Sequence, residues 1–121
     1  MRTPDPATKI SFKDVTKDIS GYENFVLADV NDHCLRIAVF EGEYPWHNHP
    51  TSDELFVVLE GALEIDLENQ TIKLSPGQAY KVPAGMRHRT RARVRTVNLC
   101  FERMQADTVF DHQADVVTTP R

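Results

Sequence analysis

From residue 22 onward the chain is a succession of short β-type runs cut by turn signals, and this punctuation limits what it can fold into. ENFVLADV and HCLRIAVFE flank Asn31-Asp32, which reads as a tight hairpin turn. ALEIDLE places Leu63, Ile65 and Leu67 on one face of a strand and Glu64, Asp66 and Glu68 on the other, the pattern of a half-buried strand with one wet face. Asn69-Gln70 turns the chain into TIKLS, Pro76-Gly77 turns it again, and AYKVP, the run at His88 and TVNLCFE follow. About nine short strands at regular spacing predict an all-β sandwich or barrel. A length of 121 residues fits one such domain around one core.

The ends read differently. Residues 1–21 form an arm with Pro4 and Pro6, followed by a short helical turn from Ser11 through about Asp18, with Ser11 as its cap. Residues 104–121 are polar and acidic without a strong period, a docked arm or a frayed end. A net charge of −4 argues against binding a phosphate backbone over a broad surface, and no helix-turn-helix segment fits the length, so nucleic acid is not an expected partner. Neither a membrane-spanning run nor the apolar core of a signal peptide is present, which makes a cytoplasmic protein the default expectation. Cys34 and Cys100 stand in apolar strand contexts and read as reduced packing residues.

The chemistry is concentrated in WHNHPTSDELFVVLEG and GQAYKVPAGMRHRT. His47 and His49 point to the same face if their segment is extended, because side chains alternate along a strand. Pro50 and Thr51-Ser52-Asp53 then turn the chain so that Glu54 opens the next strand near the two imidazoles. Pro83-Ala84-Gly85 makes a sharp turn into the strand that carries His88. Three imidazoles and one carboxylate are the donors that a divalent Zn, Fe, Mn, Ni or Cu ion accepts. His33 and His112 read instead as surface or hydrogen-bonded residues.

Eight positions share one pattern: His47, His49, Glu54 and Gly61, then Gly77, Pro83, Gly85 and His88, with 15 residues between Gly61 and Gly77. This pattern resembles the two motifs of the cupin superfamily, the first over about 42–61 and the second over about 77–92. The resemblance implies a small single-domain cupin: a jelly-roll β-barrel, or double-stranded β-helix, over residues 22–103. It also implies one metal ion held by His47, His49, Glu54 and His88.

Alternation assigns the remaining candidates. Arg87, Arg89, Arg91, Arg93 and Arg95 lie opposite His88, Thr90 and Ala92, so they face outward, to solvent or to Glu64, Asp66 and Glu68, and guard an edge strand. They leave the barrel interior without a cationic clamp. In DELFVVLEG, Glu54, Phe56 and Val58 share one face and Leu55, Val57 and Leu59 the other, so both faces call for cover. A homodimer, an N-terminal strand, or both would supply it. Trp46, Tyr80 and Phe40 read as packing or rim residues, and Met86 and Arg87 as the mouth.

A metal with an open position serves Lewis-acid or oxygen chemistry, and the resemblance implies dioxygenases, isomerases and related enzymes acting on a small polar metabolite. The alternative is a cupin that binds or senses a small molecule around a structural metal. For a second acid or base the sequence offers Tyr80 first, then Thr90, Glu41 and Glu102.

Overall fold

The computed structural model describes residues 8–111 and the backbone of a short strand at Val116–Val117. Pro4, Pro6 and His112 lie outside the described residues. One helix, α1 (Phe12–Thr16), precedes the strands β1 (Glu23–Val30), β2 (His33–Glu43), β3 (His47–Asn48), β4 (Glu54–Glu60) and β5 (Leu63–Asp66). They continue with β6 (Thr71–Leu74), β7 (Ala79–Val82), β8 (Arg89–Arg103), β9 (Thr108–Phe110) and β10 (Val116–Val117). The large sheet runs β1-β2-β8-β4-β7, with β5 joining β8 and β6, and the small one runs β10-β9-β3. All the strand pairs are antiparallel, and the two sheets close as a jelly-roll β-barrel. The Asn31-Asp32 hairpin forms as expected, with Asn31 in the left-handed region at φ 56°.

Two apolar layers sit on opposite faces of the large sheet. Phe56, Val58, Leu63, Ile65, Leu74, Val82 and Cys100 pack inside the barrel. On the outer face Phe25, Leu27, Ile37, Val39, Val97 and Leu99 form a second layer, with Ile10, Phe12, Val15, Val57 and Leu59 packed against it. Each fully buried residue of the size of Phe56 or Leu27 contributes about 1.5–3 kcal/mol. The second face of β4 is therefore partly covered by the chain's own N-terminal segment. The cover is α1 as well as a strand. Ser11 caps the helix through Asp14 N, and the helix stops at Thr16, two residues short of the expected end. Arg95 holds that end by donating to the carbonyls of Thr16 (2.7 Å) and Ile19 (3.3 Å).

Three sequence expectations need correction. β8 pairs with β2 on one side and with β4 and β5 on the other, so its arginines sit in the middle of the sheet and guard no edge. The outer face of β5 is not wet, because those arginines cover it. Arg89 and Arg91 both reach Asp66 (2.9 and 2.6 Å), and Arg91 and Arg93 reach Glu64 (3.2 and 2.7 Å), leaving the two acids 5% and 8% exposed. Glu68, by contrast, is exposed. The inward row of β2 carries a cation after all. Arg36 shares a face with Cys34, Ala38 and Phe40, is 8% exposed, and donates to Asn24 Oδ1 at 2.8 Å.

Gly61 turns the chain between β4 and β5 at φ +83°, and a Cβ there would stand 2.5 Å from Arg95 O and 2.8 Å from Thr96 Cα. Neither backbone atom can yield. Gly61→Ala is expected to destabilise the fold by about 2–5 kcal/mol, combining the left-handed backbone cost with overpacking, as read from urea unfolding.

Candidate metal centre

The centre begins with one reciprocal backbone pair. His47 N donates to His88 O at 3.0 Å and His88 N to His47 O at 2.9 Å, bringing the two rings to 4.4 Å between centroids. Gly85, at φ +81°, donates its N–H to His49 O at 2.9 Å, so the Pro83-Ala84-Gly85 turn is bonded to the histidine segment. Asp53 Oδ1 accepts from Ala84 N at 2.8 Å, and Ser52 Oγ accepts from Arg103 N at 3.0 Å. These bonds fix the turn from which Glu54 opens β4.

All three imidazoles are oriented in the same way. His47 Nδ1 meets Pro45 O at 2.7 Å, His88 Nδ1 meets Met86 O at 2.9 Å, and His49 Nδ1 meets Asp107 O at 3.0 Å. A carbonyl only accepts, so each Nδ1 carries a proton and each Nε2 is the ring nitrogen turned toward the centre. Glu54 Oε1 stands 3.2 Å from His88 Nε2 and 3.3 Å from His49 Nε2. The contact to His49 is close enough for charge attraction but is not directed as a hydrogen bond, and both His47 Nε2 and His49 Nε2 are buried without a hydrogen-bond partner among the described residues. Buried polar atoms are seldom left so. The four donor atoms lie within 4.8 Å of one another, near the ~4 Å width of a shell with bonds of about 2.0–2.2 Å. His47, His49, Glu54 and His88 could together hold one divalent metal ion.

The local electrostatics suit a cation. Burial, then the charge of His88, pushes His47 down to about 3, so its ring is neutral and ready to ligate. Burial acts in the same direction on His49, but the Glu54 carboxylate outweighs it and raises its pKa. Burial first, and then the neighbouring charge of Glu54, lifts the Glu102 carboxyl well above the usual carboxylate range.

The cupin domain family matches residues 35–99, more than half of the chain. The chain belongs to the cupin family. It is 56% identical over 89 residues to the uncharacterised protein YdbB of Bacillus subtilis, covering 73% of this chain and 79% of that one. A cupin-2 domain protein from Shewanella frigidimarina superposes with a TM-score of 0.73 at 33% identity, covering 78% of this chain and 93% of the other. The hydroquinone 1,2-dioxygenase of Sphingomonas has the same fold, with a TM-score of 0.64 at 17% identity over 77% of this chain and 72% of that one.

In this cupin the segment that follows β8 also reaches the centre. β9 pairs with β3, placing Phe110 opposite His47 and Val109 opposite Asn48. Asp107 and Thr108 bring acceptors to His49 Nδ1, and Asp111 binds Arg87 through both carboxylate oxygens. Arg87 and Arg89 stack over the Trp46 ring at 4.1 and 5.2 Å. Trp46 is thus a rim residue, lining an open groove of about 600 Å³ with Glu43, Tyr44, Pro45, Arg89, Phe110 and Asp111. Tyr44 and Phe110 separate this groove from the ring of His47, at 5.0 and 5.8 Å between centroids.

The other candidates are scattered. Tyr80 packs against the barrel core from β7, opposite Phe56, and does not join the four-residue cluster. Thr90 is fully buried, Glu41 is exposed, and Met86 is 37% exposed near Arg87. Glu102 is the acid that reaches the centre. It is 1% exposed, directly opposite Glu54 in the β4–β8 register. The available signal was the inward row Asn98, Cys100, Glu102, polar where Val97, Leu99 and Phe101 on the other face are apolar.

His49→Ala and His88→Ala are each expected to lose most metal uptake while keeping the barrel, whose packing does not use these rings as its main contacts. Elemental analysis beside circular dichroism checks this. A His88→Ala chain that fills with metal at unchanged affinity would contradict the ligand set.

Proposed function

We propose that this cupin is a metal-dependent enzyme, of the dioxygenase or isomerase type, acting on a small polar metabolite. The observation that carries the reading is the common orientation of the three histidines. Each spends its Nδ1–H on a backbone carbonyl, so the three Nε2 atoms and Glu54 Oε1 converge on one buried point. When bound there, a divalent metal would supply Lewis-acid polarisation of a substrate oxygen and, as iron, chemistry with oxygen. The chain's own residues do the rest. Tyr44 and Phe110 wall the centre from the groove, and Trp46, held under two guanidiniums, stiffens its rim. Glu102 is a buried acid beside the centre. Glu43 and Asp111 face the groove, and Arg89 there is paired with Glu43 and Asp66. This lining disfavours highly phosphorylated substrates.

Metal content after purification without added metal, followed by reloading with Fe, Mn, Ni or Zn, tests the proposal. The loaded forms are screened against catechols, diketones, keto acids and sugar phosphates. Turnover of a catechol, diketone or keto acid by one form is the expected outcome. A ligand that binds tightly and is returned unchanged by all of them would make the protein a binding or sensing cupin instead.

We further infer a homodimer formed through the outer face of the large sheet. Leu35, Leu55, Val57 and Phe101 on that face are only partly buried although α1 covers its other end. Light scattering at micromolar concentration is expected to give twice the chain mass of 13.8 kDa. A clean monomer would mean that the N-terminal segment suffices as cover.

A further inference from the structure

Glu54 divides its two oxygens between two neighbourhoods. Oε1 faces His88 and His49 at 3.2 and 3.3 Å, while Oε2 lies 3.2 Å from the thiol of Cys100. That thiol is 4% exposed and stands 3.1 Å from Glu102 Oε1 on its other side. It reaches this place from near the C-terminal end of β8, where Cys100 is paired with Arg36 of β2 and Phe56 of β4. A carboxylate turns freely about its last bond, and a metal would engage it through only part of that rotation. The thiol's one proton lies between the two carboxylates, and given to Glu54 Oε2 it removes the freedom and sets which oxygen is offered to the histidines. An apolar residue of similar volume would fill the same space without this bond.

We propose that Cys100 is a positioning residue of the metal centre, its thiol holding Glu54 so that Oε1 points at the three histidines. The proposal rests on the four-ligand reading given above. It separates Cys100, which groups with Glu54 and Glu102, from Cys34, the other buried thiol, which joins no such group among the described residues and serves as an internal control.

Cobalt(II) affinity of the full chain, measured by competition with a chelator, tests it together with the visible cobalt spectrum and the melting of the metal-free protein. Cys100→Val keeps the volume and removes the donor, and it is expected to bind cobalt about 10–100-fold more weakly, the usual range for a lost outer partner of a ligand. Its cobalt spectrum should shift. Cys100→Ser, which keeps a hydroxyl donor, should recover most of the affinity and the wild-type spectrum, and Cys34→Val should change neither. Should Cys100→Val fail to fold, Cys100→Ala carries the comparison. Wild-type affinity and spectrum in both apolar variants, or failure of the serine variant to recover them, would overturn the proposal. So would two cobalt ions per wild-type chain with one lost in Cys100→Val, because the thiol would then be a ligand itself. A wild-type chain that takes up no cobalt would bring down the four-ligand reading beneath it, a result distinct from all of these.

Discussion

Two hydrogen bonds between His47 and His88 carry more of this structure than their energies suggest. Each contributes about 0.5–1.5 kcal/mol to folding, as any backbone pair does. Yet they form the isolated bridge by which His88, just before β8 of the large sheet, meets β3 of the small one. Because both residues of the bridge are histidines, the pairing that joins the two sheets also sets two imidazoles 4.4 Å apart. The remaining members are placed relative to this bridge. His49 follows two residues on, the Gly85 turn is bonded to it, and Glu54 enters from the next strand.

On the outside of the same strand the arginines solve a separate problem. Glu64 and Asp66 lie on a strand whose other face belongs to the core, and the guanidiniums above them exclude water. Buried carboxylates are costly unless paired and hydrogen-bonded. Asp66 receives bonds from Arg91, Thr71 and Arg89, which hold its carboxyl far below the usual range. Its depressed pKa means that the stability it lends is present above the ordinary carboxylate range and fades as the pH falls below it. The alternation in RHRTRARVR therefore serves both faces of β8, with ligand and core residues inward and an ion-pair lattice outward.

The parts legible in the sequence were those set by local rules. The period of two placed His47 with His49 and separated His88 from the arginines, and the turns at residues 50–53 and 83–85 located Glu54 and His88. Pairings between distant strands were not legible. Alternation says which face a residue takes but not whether its strand is central, so β8 read as an edge. Glu102 meets Glu54 only because β4 lies beside β8, and nothing near either residue announces that choice. Arg36 was hidden for a related reason, since an arginine in an apolar run is more often on the outer face. β9 has three residues, too few for a period to stand out from the tail around them.

The contribution of β9 has a consequence for the order in which the protein is made. The carbonyl that orients His49 belongs to a residue 58 positions later in the chain. At a synthesis rate of about 5–20 residues per second, roughly 3–12 s separate the two. During that interval a nascent chain holds two of its histidines in a segment whose strand partner does not yet exist. The centre is therefore completed only once Asp107 has been made, and a chain cut short before it lacks an acceptor that fixes one of its rings.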